Sequence, residues 1–183
     1  MCIATASKEG IPSARMVLLK EFGPDLGFVF YTNYESRKGK ELLANPHAAL
    51  MFYWEPLKRS VRVEGRVEKV DPDRSTAYFK SRPFGSQIGA AVSEQSKVVK
   101  DRSVLTDRER ELKTKYEDGK VPMERPECWG GFRVVPHSVE FWVGQSTRIH
   151  DRILFRRKGE GEVIDPELTH EAENGWVIER LSP

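Results

Sequence analysis

The sequence predicts a mainly β fold: an antiparallel barrel, closed or nearly so, with peripheral helices. Three observations carry this. Strand-like segments outnumber helical ones and mostly follow one another through short turns, while the helical segments are inserted mid-chain, unlike the regular alternation of a parallel α/β sheet. Residues 60–70 alternate cleanly, with Val61, Val63, Gly65 and Val67 on one face and Arg62, Glu64, Arg66 and Glu68 on the other, the pattern of a half-exposed antiparallel strand. Residues 48–54 are almost continuously apolar and aromatic, as a central strand requires. Closing the sheet also removes the exposed edges that so many strands would otherwise present.

In chain order, residues 2–6, 14–22 and 27–32 are expected as strands joined by short turns. Residues 33–45 switch to a helical period, with Ser36 as N-cap and Asn45-Pro46 as the stop. After the strands at 48–54 and 60–70, Asp71-Pro72 opens a helix, aspartate capping and proline in the first turn, which Pro83 ends near residues 81–82. A short helical segment at 83–93 and a highly charged helix at 101–117 follow, then a loop at 119–127. Strands are expected at 129–135, 138–143, 152–157 and 176–180, with 158–174 forming a long hairpin loop. With 183 residues the chain suits one domain over residues 1–183.

Charged residues make up 32% of the chain but nearly cancel, leaving a formal charge of +2. This argues against a nucleic-acid-coating protein, so anion binding has to come from local clusters. No apolar run is long enough to span a bilayer, and residues 1–6 lack the basic start and apolar stretch of a signal peptide. Cys2 and Cys128 are too few for a disulfide framework or a structural zinc site, which points to a reducing, cytoplasmic setting. The four histidines have no metal-binding spacing, and neither a nucleophile elbow nor a dinucleotide-binding glycine fingerprint is present.

Several polar clusters are candidates for chemistry. Arg15 and Lys20 bracket an apolar run; in a continuous strand their odd separation puts them on opposite faces, and solvated strand ends explain them equally well. Residues 35–40 gather Arg37, Lys38 and Lys40 at a helix start, where cations oppose the helix dipole unless an anion joins them. Tyr78 and Arg82 share a helix face, and Ser86 follows the bend after Pro83, so the three could clamp a phosphate. Gln95 and Ser96 add neutral polar groups. In residues 140–152, Gly144 breaks a strand, and Arg148, His150 and Arg152 fall at alternate positions that share one face if the backbone is extended.

These clusters, in this order, resemble the pyridoxine/pyridoxamine 5′-phosphate oxidase family. The matching runs are ARMVLLK (14–20), YTNYESRKGK (31–40), FYWEPL (52–57), VRVEG (61–65), SRP (81–83), SQIGA (86–90), and EFW (140–142) through RIHDR (148–152). The resemblance implies an FMN-binding split barrel acting as a homodimer, with FMN at the subunit interface. That arrangement would let opposite strand faces serve paired sites.

It implies FMN contacts at Arg15, Met16, Val17, Leu18, Tyr31, Thr32, Arg37, Lys38, Gln95, Ser96, Trp142 and Arg152. Lys20, Tyr78, Arg82 and Ser86 would hold the substrate phosphate, and Arg148, Ile149 and His150 would lie over its pyridine ring, with Arg148 and His150 in the catalytic role. The implied reaction converts pyridoxamine or pyridoxine 5′-phosphate to pyridoxal 5′-phosphate with O2 as acceptor. A carrier that merely bound a flavin would need no second phosphate clamp, and a flavin reductase would use a nicotinamide donor. Ser60 stands where the family commonly has a longer glutamine, and the chain is expected to lack the family's N-terminal segment.

Overall fold

The computed structural model describes residues 1–183. Ten strands form one sheet system: β1 (Cys2–Ala6), β2 (Pro12–Met16), β3 (Glu21–Gly23), β4 (Gly27–Asn33), β5 (His47–Trp54), β6 (Arg59–Lys69), β7 (Trp129–Val143), β8 (Asp151–Arg157), β9 (Thr169–Glu171) and β10 (Trp176–Arg180). Their order is β2-β1-β5-β6-β7-β8-β10-β9, and β4, paired with β3, joins β7. All pairings are antiparallel. The long β7 divides the sheet. Its first half, up to Val134, pairs with β4, and its second half, from Ser138, pairs with β8.

Four helices lie around this sheet: α1 (Arg37–Ala44), α2 (Pro72–Ser81), α3 (Phe84–Val92) and α4 (Ser103–Lys115). Ser36 caps α1 by accepting from the Gly39 N–H at 3.2 Å, and Asp71 caps α2 through the Asp73 and Arg74 N–H groups. Inside the barrel, Ile3, Phe30, Leu50, Val63, Phe132 and Val134 are buried, and Leu42 of α1 closes over them. Fully burying each such side chain contributes about 1.5–3 kcal/mol. A second cluster, Phe79, Ile88, Val92, Met123 and Trp129, packs α2 and α3 onto the start of β7.

Three expectations need correction. Residues 14–22 are not one strand: β2 ends at Met16, and residues 17–20 carry the chain from the β2 edge to the β3–β4 pair, where the Lys20 N–H donates to the Val29 carbonyl. The parity separation of Arg15 and Lys20 therefore does not apply. Residues 129–143 are one strand rather than two. The register shifts at Glu64/Gly65, so that Gly65 pairs with Pro136 and Glu64 with Ser138, and the bulge at His137 accommodates a proline that cannot donate. Gly65 is needed there because a Cβ would stand 2.3 Å from the Val135 carbonyl oxygen. Finally, the 158–174 loop contains β9, which pairs with β10.

Candidate functional site

Two hollows on this chain contain most of the candidate residues. The first, about 480 Å³, lies between the 17–20 crossing, β4, the start of α1, and the α2–α3 corner. The crossing contributes Val17, Leu18 and Lys20, with Met16 just before it. Tyr31 and Thr32 come from β4, Lys38 from α1, Tyr78 and Arg82 from the end of α2, Ser86 from α3, and Gln95 from the loop beyond. Trp129, the first residue of β7, also lines the hollow, and no local pattern had marked it.

Lys38 is 7% exposed, and its ammonium donates only to neutral oxygens: Gln95 Oε1 at 3.0 Å, Thr32 Oγ1 at 3.2 Å and Ser36 Oγ at 3.5 Å. Burial pulls its pKa below the usual lysine value, the nearby Arg15 adds to this, and Glu41 opposes it. A buried cation without a carboxylate in hydrogen-bond contact suits an incoming anion. Gln95 Oε1 also accepts from Thr32 Oγ1 at 3.0 Å, so the loop after α3 is tied to β4 across the hollow.

On the other side, Tyr31, Tyr78 and Trp129 form a cluster of near-parallel rings, with centroids 4.1 Å apart for Tyr31 and Tyr78, 5.4 Å for Tyr31 and Trp129, and 6.2 Å for Tyr78 and Trp129. The Arg82 guanidinium lies 4.7 Å from the Trp129 ring, and Lys20 Nζ lies 5.8 Å from that of Tyr78. Arg82 caps α2 in an extended conformation, with its carbonyl accepting from Gln87 Nε2 at 2.8 Å. Its Nη1 is buried without a hydrogen-bond partner, as is the Tyr31 hydroxyl. An unmatched guanidinium N–H in a hollow that also holds Lys20, Tyr78 and Ser86 is suited to a phosphate oxygen.

Arg15 and Arg37 do not line this hollow. Both are held behind it by Glu41. Ser96 is also outside, exposed and left-handed at φ 73°, an uncommon conformation for a non-glycine residue.

The second hollow, about 450 Å³, lies on the outer face of the sheet. Register aligns Tyr53, Ser60, Trp142 and Arg152 in one row and Met51, Arg62 and Glu140 in the next. Glu140, 7% exposed, accepts from Arg152 Nε at 2.7 Å and from Arg62 Nη2 at 2.6 Å. The Arg152 hydrogen bond is the main reason its carboxyl stays below the usual range; burial opposes it and Arg62 adds to it. Sequence patterns had placed Arg62 on a merely exposed face and assigned Glu140 no role.

Trp142 packs on His150 with centroids 4.9 Å apart. His150 Nδ1 accepts the Gln145 N–H at 3.2 Å, so the neutral ring carries its proton on Nε2. Residues 144–150 are not a strand, so the alternate alignment of Arg148, His150 and Arg152 does not form. Arg148 and Ile149 are exposed on this loop and outside both hollows, whereas His150 and Arg152 line the second. Ser60 lines it as well, opposite Trp142. The two hollows share no lining residue.

Comparison with known proteins identifies the family. Residues 1–116 match the family model described as pyridoxamine 5′-phosphate oxidase, and residues 129–183 match that of the pyridoxine 5′-phosphate oxidase C-terminal dimerisation region. The chain is 55% identical over 183 residues to the pyridoxine/pyridoxamine 5′-phosphate oxidase of Bombyx mori, covering all of this chain and 71% of that protein. It is 54% identical over 186 residues to the pyridoxine-5′-phosphate oxidase of Bos taurus, covering all of this chain and 69% of that one.

Among solved structures, PhzG from Burkholderia lata, in complex with tetrahydrophenazine-1-carboxylic acid, superposes with a TM-score of 0.85 at 27% identity, over 100% of this chain and 81% of that one. A pyridoxamine 5′-phosphate oxidase-related, FMN-binding protein from Nostoc punctiforme shares the fold, with a TM-score of 0.70 at 15% identity over 100% and 87% of the two chains. With a family model covering residues 1–116 and full-length relatives above half identity, the chain belongs to the pyridoxamine 5′-phosphate oxidase family.

Proposed function

We infer that this chain is an FMN-dependent oxidase of vitamin B6 metabolism. It converts pyridoxamine and pyridoxine 5′-phosphates to pyridoxal 5′-phosphate, with O2 as acceptor and hydrogen peroxide as by-product; the amine also takes up water and releases ammonia. One observation carries the reading. A single hollow is lined by two sets of phosphate-complementary groups, Lys38 with Thr32 and Gln95, and Lys20 with Tyr78, Arg82 and Ser86. A phosphorylated cofactor and a phosphorylated substrate account for both sets. The buried, neutrally partnered Lys38 fits the first, and the unmatched Arg82 Nη1 fits the second.

When bound, FMN would supply the hydride-accepting and O2-reactive chemistry, with Lys38, Thr32 and Gln95 holding its phosphate. The chain provides placement. Lys20, Arg82, Tyr78 and Ser86 hold the phosphate, fixing the pyridine ring at one distance and orientation. His150, with Nδ1 occupied, presents Nε2–H, and with Arg148 it orients the C4′ substituent and assists proton movement there.

Because His150, Trp142 and Arg152 line a hollow separate from the phosphate groups, we assign the working unit to a homodimer in which each copy's second hollow faces the other's first, with FMN between them. The match of residues 129–183 to a dimerisation region supports this, as do the exposed Met16, Leu18, Met51 and Tyr53 beside the two hollows. Strand β7 pairs with strands from both matched regions, which supports residues 1–183 acting as one unit. No helix is long and apolar enough to cross a membrane, and the two free cysteines fit a cytoplasmic setting.

The test is the absorption spectrum of the purified protein without oxygen. Pyridoxamine 5′-phosphate should bleach the yellow flavin bands and NADH should not. Bleaching by NADH alone would replace the oxidase reading with a reductase.

A further inference from the structure

The strongest unassigned feature is a buried carboxylate behind the first hollow. Glu41 lies one helical turn after Arg37, 7% exposed, between α1 and the β1–β2 hairpin. Its Oε2 accepts from Thr5 Oγ1 at 2.5 Å, from Ser13 Oγ at 2.6 Å and from Arg15 Nη2 at 3.4 Å, and its Oε1 accepts from Arg37 Nε at 2.9 Å. Arg15 also donates to the Thr5 and Ser13 hydroxyl oxygens, whose protons point to Glu41. Every member of this network therefore needs Glu41 ionised. Burial pushes the carboxyl up, but hydrogen bonds from Ser13, Thr5 and Arg37 outweigh it and bring the pKa to about 2.

We propose that Glu41 is the positioning residue of the cofactor-phosphate site, locking the Arg15 and Arg37 guanidinium groups beside Lys38. This rests on the FMN reading above and adds to it a residue that touches neither cofactor nor substrate. It has a charge consequence. Arg15, Arg37 and Lys38 with Glu41 leave a local charge of +2, which a phosphomonoester dianion cancels. It also restrains two flexible arginines before the anion arrives: Arg15 Nη1 and Nη2 and Arg37 Nε are engaged by Glu41, Thr5 and Ser13 behind the hollow, so less side-chain freedom is lost on binding.

The sign of one substitution separates positioning from simple counter-charge. Glu41→Gln keeps the shape but makes the cluster more positive. If Glu41 only diluted positive charge, FMN would bind more tightly. If it positions the arginines, FMN binds more weakly although the field is stronger. Flavin fluorescence titration of the apoprotein with FMN and with riboflavin, which lacks the phosphate, reads this directly. We expect the FMN Kd to rise about 10-fold, from loss of one charged hydrogen-bond network, with the riboflavin Kd changed less than about twofold.

Glu41→Asp keeps the charge but shortens the reach, and should show an intermediate loss of FMN preference; it also serves if the glutamine variant does not fold. Wild-type protein that fails to prefer FMN over riboflavin would overturn the cofactor reading itself. Wild type with the preference, and variants with an unchanged or larger preference, would overturn the positioning role alone.

Discussion

Arg82→Lys is the sharpest single test of the substrate clamp. Arg82 is held at the end of α2 by its cap geometry and over Trp129 at 4.7 Å, with Nη1 buried and unpartnered. Lysine keeps the charge but loses the planar fork and the stacking. Losing one charge-assisted hydrogen bond to a phosphate oxygen costs about 1.5–3 kcal/mol. At about 1.4 kcal/mol per tenfold, kcat/KM for pyridoxamine 5′-phosphate should fall roughly 10- to 150-fold. The phosphate is held alike before and during reaction at C4′, so the loss should fall on KM, with kcat within about threefold. Steady-state oxygen uptake measures both constants, and unphosphorylated pyridoxamine is the control, since it has no group for Arg82 to hold. An equal loss for both substrates, or a collapse of kcat at constant KM, would refute the assignment.

Arg148→Leu should lower kcat/KM by at least about 10-fold while the FMN content of the purified protein stays near wild type; unchanged efficiency would remove Arg148 from the reaction. Gly39→Ala should destabilise the start of α1 by more than about 2 kcal/mol in a denaturant melt, because the new Cβ would stand 2.2 Å from the Tyr34 carbonyl oxygen, and the displaced Lys38 should release FMN. Glu140 has a depressed folded pKa, so its ion pairs with Arg62 and Arg152 stabilise the protein above the unfolded value near 4.5 and fade as pH falls through the folded one. The difference in unfolding midpoint between wild type and Glu140→Gln should therefore be largest above pH 5 and shrink as the solution is acidified below it; a difference that is flat with pH would count against the ion pairs.

Most of the strands were legible because burial is one-sided along them. The 60–70 alternation corresponds to β6, and residues 2–6 and 176–180 are β1 and β10 as expected. The failures share a cause: they occur where pairing partners, not local propensity, decide the backbone. Pro136 ends a strand in any local reading, yet β7 runs through it because the bulge opposite Gly65 leaves no donor missing. Residues 17–20 carry strand-like side chains, yet the chain must cross there from one sheet edge to the other. That crossing is what brings Lys20 into the hollow.

The site was legible where function falls on contiguous residues and illegible where it depends on helix packing or strand register. Residues 31–38 and 78–86 are short runs whose cations and hydroxyls show in any reading, and the first hollow gathers most of them. Glu41 and Glu140 could not be found this way. Their partners Thr5 and Arg62 lie 36 and 78 residues away; the packing of α1 on β1 makes the first pair neighbours, and the pairing of β6 with β7 makes the second.

The same distinction sorts the three ionisable groups of residues 148–152. Arg152 is fixed by Glu140 and His150 is packed on Trp142 with Nδ1 engaged, whereas Arg148 is exposed on the 144–150 loop. A long cation on a loop keeps its rotamer freedom, about 2 kcal/mol of which is surrendered only when a partner orders it. Arg148 is thus placed to order with substrate, and its contribution should appear in turnover with bound substrate rather than in the affinity of the resting protein for its cofactor.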